Sequence, residues 1–205
     1  MSASARTTTV LLAGGPATRL PGKLALDVEG EPMLVRSYRR LTASGWPCVI
    51  SARTPLAPAL ARALRDPEVA LDEIADGGPL AGLCSAARAV RTPLFFAAAA
   101  DLPNLTADFA RALVAAYDAA PAPKPNAVLP TWDDGHVEPL AALYEREAFV
   151  GGAEAALAAG KRKVTAALDG LRVLGYRVEA HDACTLLNVN TPADFETLRR
   201  TSAAS

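Results

Sequence analysis

Histidine and cysteine are scarce in this chain. His136 and His181 are its two histidines, and Cys48, Cys84 and Cys184 its three cysteines, spread over 205 residues with no CxxC spacing. Neither a thiolate nor an imidazole zinc site is readily assembled from such a set, and an odd thiol count argues against a disulfide framework. The expected compartment is the cytoplasm. Long apolar runs are missing too. The stretch 10–13, after a polar start over residues 1–9, is too brief for the apolar part of a signal peptide or for a membrane span. A charge excess of either sign is absent: 21 basic against 22 acidic residues leave −1. No global positive field points to a nucleic-acid partner, and any anion must be held locally.

What is present is a globular composition. Hydrophobic residues make up 51% and charged residues 21%, enough for one buried core at this length and too little chain for two ordinary ones. Residues 7–200 read as a single domain, with small, polar tails at 1–6 and 201–205 expected to be disordered.

The order of elements is read from periodicity. The β-branched and apolar run 8–13 stops at Gly14-Gly15-Pro16, as a buried strand does on entering a tight loop. Pro32 starts a helix with Leu34, Tyr38 and Leu41 on one face and Arg36, Arg39 and Arg40 outside, ending before Gly45. Strand 46–52, helix 56–64, strand 69–72, helix 80–90, strand 93–100 and helix 107–119 follow. This βαβ succession predicts right-handed crossovers and a mostly parallel sheet between two helical layers, a three-layer doubly wound α/β/α fold with ligands at the strands' carboxyl ends. The Pro-rich stretch 120–125 reads as a surface crossing. Beyond it come strands at 126–131 and 138–144, the second a candidate for antiparallel pairing, and alanine-rich helices at 148–159 and 165–168. Strands at 171–179 and 185–188 and a helix at 192–199 complete the chain.

The chemistry concentrates in the loop after the first strand. Leu12, Ala13, Gly14 and Gly15 lead into Arg19 and Lys23, and backbone N–H groups there can turn inward to cradle phosphate oxygens. Arg19 offers a planar fork and Lys23 a point charge, suited to a triphosphate and to its leaving pyrophosphate. Two commoner phosphate motifs fail: a P-loop needs Gly at 17 and Ser or Thr at 24, where Ala17 and Leu24 stand, and a dinucleotide fingerprint needs Gly at 16, which is Pro16. The alternative is an ordinary turn with solvated cations. Asp101 ends the apolar run 93–100 and so falls on the same carboxyl edge, as a hard oxygen ligand for Mg²⁺ or as a residue fixing a local turn. Gly78-Pro79-Leu80-Ala81-Gly82 sits between strand and helix, where small residues let a flat base approach. Asp76 before it is either an acceptor for ribose or guanine or a turn former. Thr191-Pro192-Ala193-Asp194 has the form of a capped helix start. Lys161-Arg162-Lys163 is either a site for an acceptor's phosphate or a basic run at a helix end.

Taken together, Leu12-Ala13-Gly14-Gly15 with Arg19 and Lys23, Gly78-Pro79-Leu80-Ala81-Gly82, Asp101-Leu102-Pro103 and Asn188-Val189-Asn190-Thr191-Pro192 resemble the signature of the MobA-like nucleotidyltransferases, which include the molybdenum cofactor guanylyltransferases. The resemblance runs from residue 10 to about 195. It implies a Rossmann-like nucleotidyltransferase fold and a nucleotide site at Leu12 to Gly15, Lys23, Asp76, Gly78, Pro79, Leu80 and Asp101. It also implies catalytic roles for Arg19, Lys23 and Asp101, and Mg²⁺ on Asp101 with Asn188 nearby. An acceptor region is implied over His136, Glu138 and Asn190, with Lys161 and Arg162. The chain departs from the family in one place: Leu20-Pro21-Gly22 makes a shorter link between Arg19 and Lys23, without the usual acid. The implied reaction is transfer of GMP from GTP to the phosphate of molybdopterin, with pyrophosphate released. The alternatives are a cytidylyltransferase, a sugar-phosphate nucleotidyltransferase, or a catalytically silent nucleotide-binding domain. The glycine at 14 and the Gly-Pro-Leu-Ala-Gly block both resemble the guanylyl rather than the cytidylyl branch.

Overall fold

The structure is a computed structural model, and it describes residues 6–14, 22–74 and 77–202. Its centre is strand β1 (Thr7–Leu12), buried at every position and paired in parallel with β4 (Cys48–Ala52) on one side and β6 (Leu94–Ala99) on the other. With β5 (Glu68–Leu71), β7 (Ala127–Thr131), β8 (Ala141–Glu145) and β9 (Val173–Arg177) these form a seven-stranded sheet in the order β5-β4-β1-β6-β8-β7-β9. In this sheet β8 runs antiparallel to β6 and β7, and the remaining pairs are parallel. The predicted α/β architecture and the antiparallel strand are both present.

Alternation along the strands explains why two cores form. Leu11, Ile50, Phe96, Ala98, Val128 and Leu143 face one cluster, with Leu34 and Leu41 of α1 (Met33–Thr42) and Phe109, Leu113 and Val114 of α4 (Ala107–Ala119). Val10, Val49, Phe95, Ala97, Leu129 and Tyr144 face the other. That side is covered by Leu80, Leu83 and Ala87 of α3 (Gly78–Ala89) and by Phe149 and Ala153 of α5 (Arg146–Ala158). The 3-10 turn Val164–Leu168 stands where a helix was expected at 165–168. The short α2 (Pro58–Ala63) links β4 to β5. Thr106 caps α4 through Phe109 N–H at 3.1 Å.

Three expectations are corrected. Arg36 does not lie outside α1: it is 6% exposed and its guanidinium pairs with Glu29, in the turn of a two-stranded ribbon, β2 (Asp27–Val28) and β3 (Glu31–Pro32), which the sequence reading lacks. The ribbon covers that face of α1, and the buried cation is tolerated because it has an acidic partner. Arg40 is half-buried as well and donates to the Asn104 carbonyl at 3.1 Å, so Arg39 alone of the three is exposed. Residues 185–188 form no strand. After α6 (Ala180–Ala183), Thr185 and Leu186 N–H bond back to the Asp182 carbonyl, and Val189 N–H bonds to the Asp101 carbonyl at 2.8 Å instead of to a strand ladder. The C-terminal helix α7 (Pro192–Ser202) joins the ribbon in a small third cluster of Val28, Met33, Val189 and Leu198.

Candidate active site

Chain order runs outward from β1 through β4 to β5 and then returns to β6 on the far side of β1, so the order reverses between β1 and β6. The crevice over their carboxyl ends is where such sheets bind ligands. A cavity of about 800 Å³ opens there, lined by Leu12, Ala13, Gly14, Lys23, Leu24, Arg53, Gly78, Pro79, Asp101, Leu140, Arg162 and Asn190 among others.

Its polar centre is built from three segments far apart in sequence. Asp101 follows β6 directly. Lys23 opens a 3-10 turn, Lys23–Ala25, and its Nζ donates to Asp101 Oδ2 at 2.6 Å, to Asn190 Oδ1 at 3.2 Å and to the Val189 carbonyl at 3.5 Å. Asn190 is held by the start of α7. Thr191 Oγ1 accepts from Asp194 N–H at 3.2 Å, while Asp194 Oδ2 accepts from Thr191 N–H at 2.8 Å and from Asn190 N–H at 2.9 Å. The expected Thr cap is therefore a reciprocal capping box. The Asn190 N–H, then the Thr191 hydroxyl and N–H, hold Asp194 below the ordinary carboxylate range.

The glycine block forms the opposite wall. Gly78 has φ +67°, and a Cβ there would stand 3.2 Å from both the Cβ and the carbonyl oxygen of Arg162. A side chain there is strained by the backbone and crowded by Arg162. Leu80 N–H donates to that same carbonyl at 3.3 Å, and its side chain is in the core. Gly78 and Pro79 thus face the cavity and Leu80 anchors them. Gly15, Arg19 and Asp76 lie outside the described residues.

The expected acceptor residues separate. Arg162 lines both the cavity and a second recess, of about 640 Å³, with Ile74, Gly77 and Arg88, whereas Lys161 lines the second recess alone of the two and pairs with Asp169 at 2.7 Å. His136 is exposed on the loop before β8 and packs on Trp132, ring centres 5.0 Å apart. Glu138 is half-buried and accepts from Leu140 N–H at 3.3 Å. Desolvation pushes its carboxyl up and the charge of Asp101 adds to this, while the Leu140 N–H and His136 act the other way.

Two residues at the sheet's carboxyl edge, of which Arg53 lines the cavity, went unassigned in the sequence reading. Arg53 follows β4 and stands beside Gly14, where an added Cβ would meet its Cγ at 3.4 Å. Asp72 follows β5 and accepts from Ser51 Oγ at 3.3 Å. Burial pushes its carboxyl up, against the Ser51 hydrogen bond and the charge of Arg53. A Cβ on Gly82 would come within 2.8 Å of Asp72 Oδ1, so glycine there makes room for the carboxylate. The signal that singles out Asp101, an acid at a parallel strand's carboxyl end, applies equally to Asp72.

The donor set fits a hard divalent cation. Asp101 Oδ1 and Asn188 Oδ1 are buried without a hydrogen-bond partner among the described residues, an arrangement that costs free energy unless something is bound. No group of three or more His, Cys, Asp or Glu able to hold a metal occurs among those residues. The two unpartnered oxygens suit an ion that takes its remaining ligands from substrate phosphates and water.

The MobA-like NTP transferase domain model matches residues 9–173. A molybdenum cofactor guanylyltransferase of Burkholderia ambifaria (strain MC40-6) is 38% identical over 206 residues, covering 97% of this chain and 98% of that protein. Molybdopterin-guanine dinucleotide biosynthesis protein A of Archaeoglobus fulgidus superposes with a TM-score of 0.76 at 23% identity, over 97% of this chain and 100% of that one. A cytidylyltransferase of Leptospira borgpetersenii reaches 0.74 at 15% identity, over 98% and 87%, so the fold alone does not select the base. With the family model matched from β1 to β9 and such identity across nearly the whole chain, this protein belongs to the MobA-like NTP transferase family.

Proposed function

We propose that this protein is a Mg²⁺-dependent guanylyltransferase that transfers GMP from GTP to the phosphate of molybdopterin or its molybdenum-bearing form. A phosphate oxygen of the acceptor attacks the α-phosphorus in line, the bond from that phosphorus to the β-bridging oxygen breaks, and pyrophosphate leaves. No side-chain nucleophile is needed. The observation that carries the reading is the meeting of Lys23, Asp101 and Asn190 beside Gly14 in one cavity at the sheet's switch point.

Each residue has a part consistent with its place. The backbone around Gly14, together with Gly15 and Arg19, cradles the phosphates, and Lys23 offsets charge developing on the leaving group. Asp101 and Asn188 would hold Mg²⁺, which would supply electrostatic stabilisation of the charge on the phosphates. Gly78 and Pro79 present backbone to the base. Asp72 and Arg53 supply an acceptor and a donor fork of the kind that matches guanine's N–H groups and its O6 and N7. Glu138 and Arg162 are the acceptor-side candidates that reach the cavity or its edge, while Lys161 and His136 act further out or not at all. The three free thiols suit the cytoplasm, and among the described residues no helix is long and apolar enough to cross a membrane.

The test is pyrophosphate release from GTP, CTP and ATP with molybdopterin as acceptor, with the dinucleotide product identified by mass spectrometry. GTP is expected to be preferred. A faster reaction with CTP would favour the cytidylyl alternative, and tight GTP binding without product would mean a silent binder.

A further inference from the structure

The ammonium of Lys23 carries three donors, and among the described residues it meets three protein oxygens: Asp101 Oδ2 at 2.6 Å, Asn190 Oδ1 at 3.2 Å and the Val189 carbonyl at 3.5 Å. These are a carboxylate, an amide and a carbonyl, the hard oxygens that a divalent cation also prefers. Both side chains are largely out of solvent, Lys23 at 14% and Asp101 at 19% exposed.

We propose that Lys23 is the resident counter-ion of the metal site in the nucleotide-free protein, so that the divalent cation enters as its complex with the nucleotide and not as the free ion. This rests on the reading of Asp101 as the metal ligand. A free cation approaching Asp101 meets a like charge already bonded to Oδ2. Displacing it leaves the ammonium, largely out of solvent, without the carboxylate that pairs it, which is costly. A metal–nucleotide complex brings that anion along. The carboxylate then passes from ammonium to metal while the ammonium passes from carboxylate to phosphate, and no charge in the site is left unpaired at the end. Lys23 thereby couples occupancy of the two sites, because the nucleotide relieves the competition that the metal would otherwise face.

Mn²⁺, followed by electron paramagnetic resonance, tests this on the full chain without turnover. In the absence of nucleotide the Lys23→Met variant should bind Mn²⁺ about ten- to a hundredfold more tightly than the unaltered protein, the factor expected from one displaced charge-assisted hydrogen bond. With α,β-methylene-GTP, which cannot react, the unaltered protein should bind Mn²⁺ tightly. Lys23→Gln provides a second neutral variant, and circular dichroism checks that both fold. If neither variant gains affinity for free Mn²⁺ while the unaltered protein with the analogue binds it through Asp101, the exchange is overturned and the metal reading stands. If the gain persists in the Lys23→Met/Asp101→Asn double variant, the bound ion is elsewhere, and the proposal falls with its premise.

Discussion

At the scale of single residues, Asp101 and Asp72 share a position, each just past the carboxyl end of a parallel strand, and differ in surroundings. Asp101 has a cation on one oxygen and, among the described residues, no hydrogen-bond partner on the other. Asp101→Asn keeps the volume and removes the charge, so turnover should fall by at least about a hundredfold, as for other losses of aimed charge, with the fold intact. Pyrophosphate release and a thermal melt check both halves, and near-normal Mg²⁺-dependent activity would reduce Asp101 to a turn residue. Asp72 has Ser51, Arg53 and the space over Gly82. Gly82→Ala places a methyl group 2.8 Å from its Oδ1, and overpacking of this sort costs about 1–3 kcal/mol. If Asp72 reads the base, Gly82→Ala should also raise KM for GTP more than for ATP. An equal rise for both would assign Asp72 a structural role only.

At the scale of elements, the start of α7 is the joint on which Asn190 turns. Asp194 caps the helix and, with the same oxygen, holds Asn190 N–H. Asp194→Ala should lose roughly 1 kcal/mol or less of stability, within the usual worth of a cap, and should weaken catalysis because Asn190 loses its hold. Asp194→Asn keeps an acceptor and isolates the charge. The carboxyl in the folded protein lies below its unfolded value, so its contribution is complete above the unfolded value and is lost as pH falls through the folded one. The urea midpoint of the unaltered protein should therefore exceed that of Asp194→Asn at neutral pH and converge on it in acid, below the ordinary aspartate range. A gap independent of pH would show that the charge is not involved.

Across the whole molecule, the two cores flanking the sheet are large and the third is small. Phe95 and Phe96 are fully buried on opposite faces, and either one changed to Ala should cost about 3–5 kcal/mol. Leu198, in the third cluster with Val28, Met33 and Val189, ties α7 to the ribbon that follows Lys23. Leu198→Ala should cost about 2–3 kcal/mol, and hydrogen exchange should show α7 opening ahead of the sheet. Activity should suffer more than for an equal loss in either main core, because Val189 of this cluster and Asn190 next to it both accept from Lys23. If instead α7 exchanges together with β1 and β6, the third cluster is not a separate cooperative unit.

The sheet and its site edge were legible in the sequence because their signals are local. Apolar runs ending at Gly14 and Asp101 announce strands and their carboxyl ends, and Thr191 announces a helix start in cap chemistry that involves only a few neighbouring residues. Arg36 was misread because helical spacing tells which residues share a face but not that a second element, the β2–β3 ribbon, will cover that face. The segment 185–188 was misread because an apolar run resembles a strand whether or not a partner strand is available, and here its neighbour Val189 bonds to the carbonyl of Asp101. The pairing of Lys23 with Asp101 and Asn190 joins positions 78 and 167 residues apart. By itself the sequence determined which residue types stand at the ends of which elements, since that follows from backbone preference and periodicity within a few residues. The tertiary structure alone decided which of those ends meet and what each charge is paired with, because distances between remote segments are set by how the layers pack.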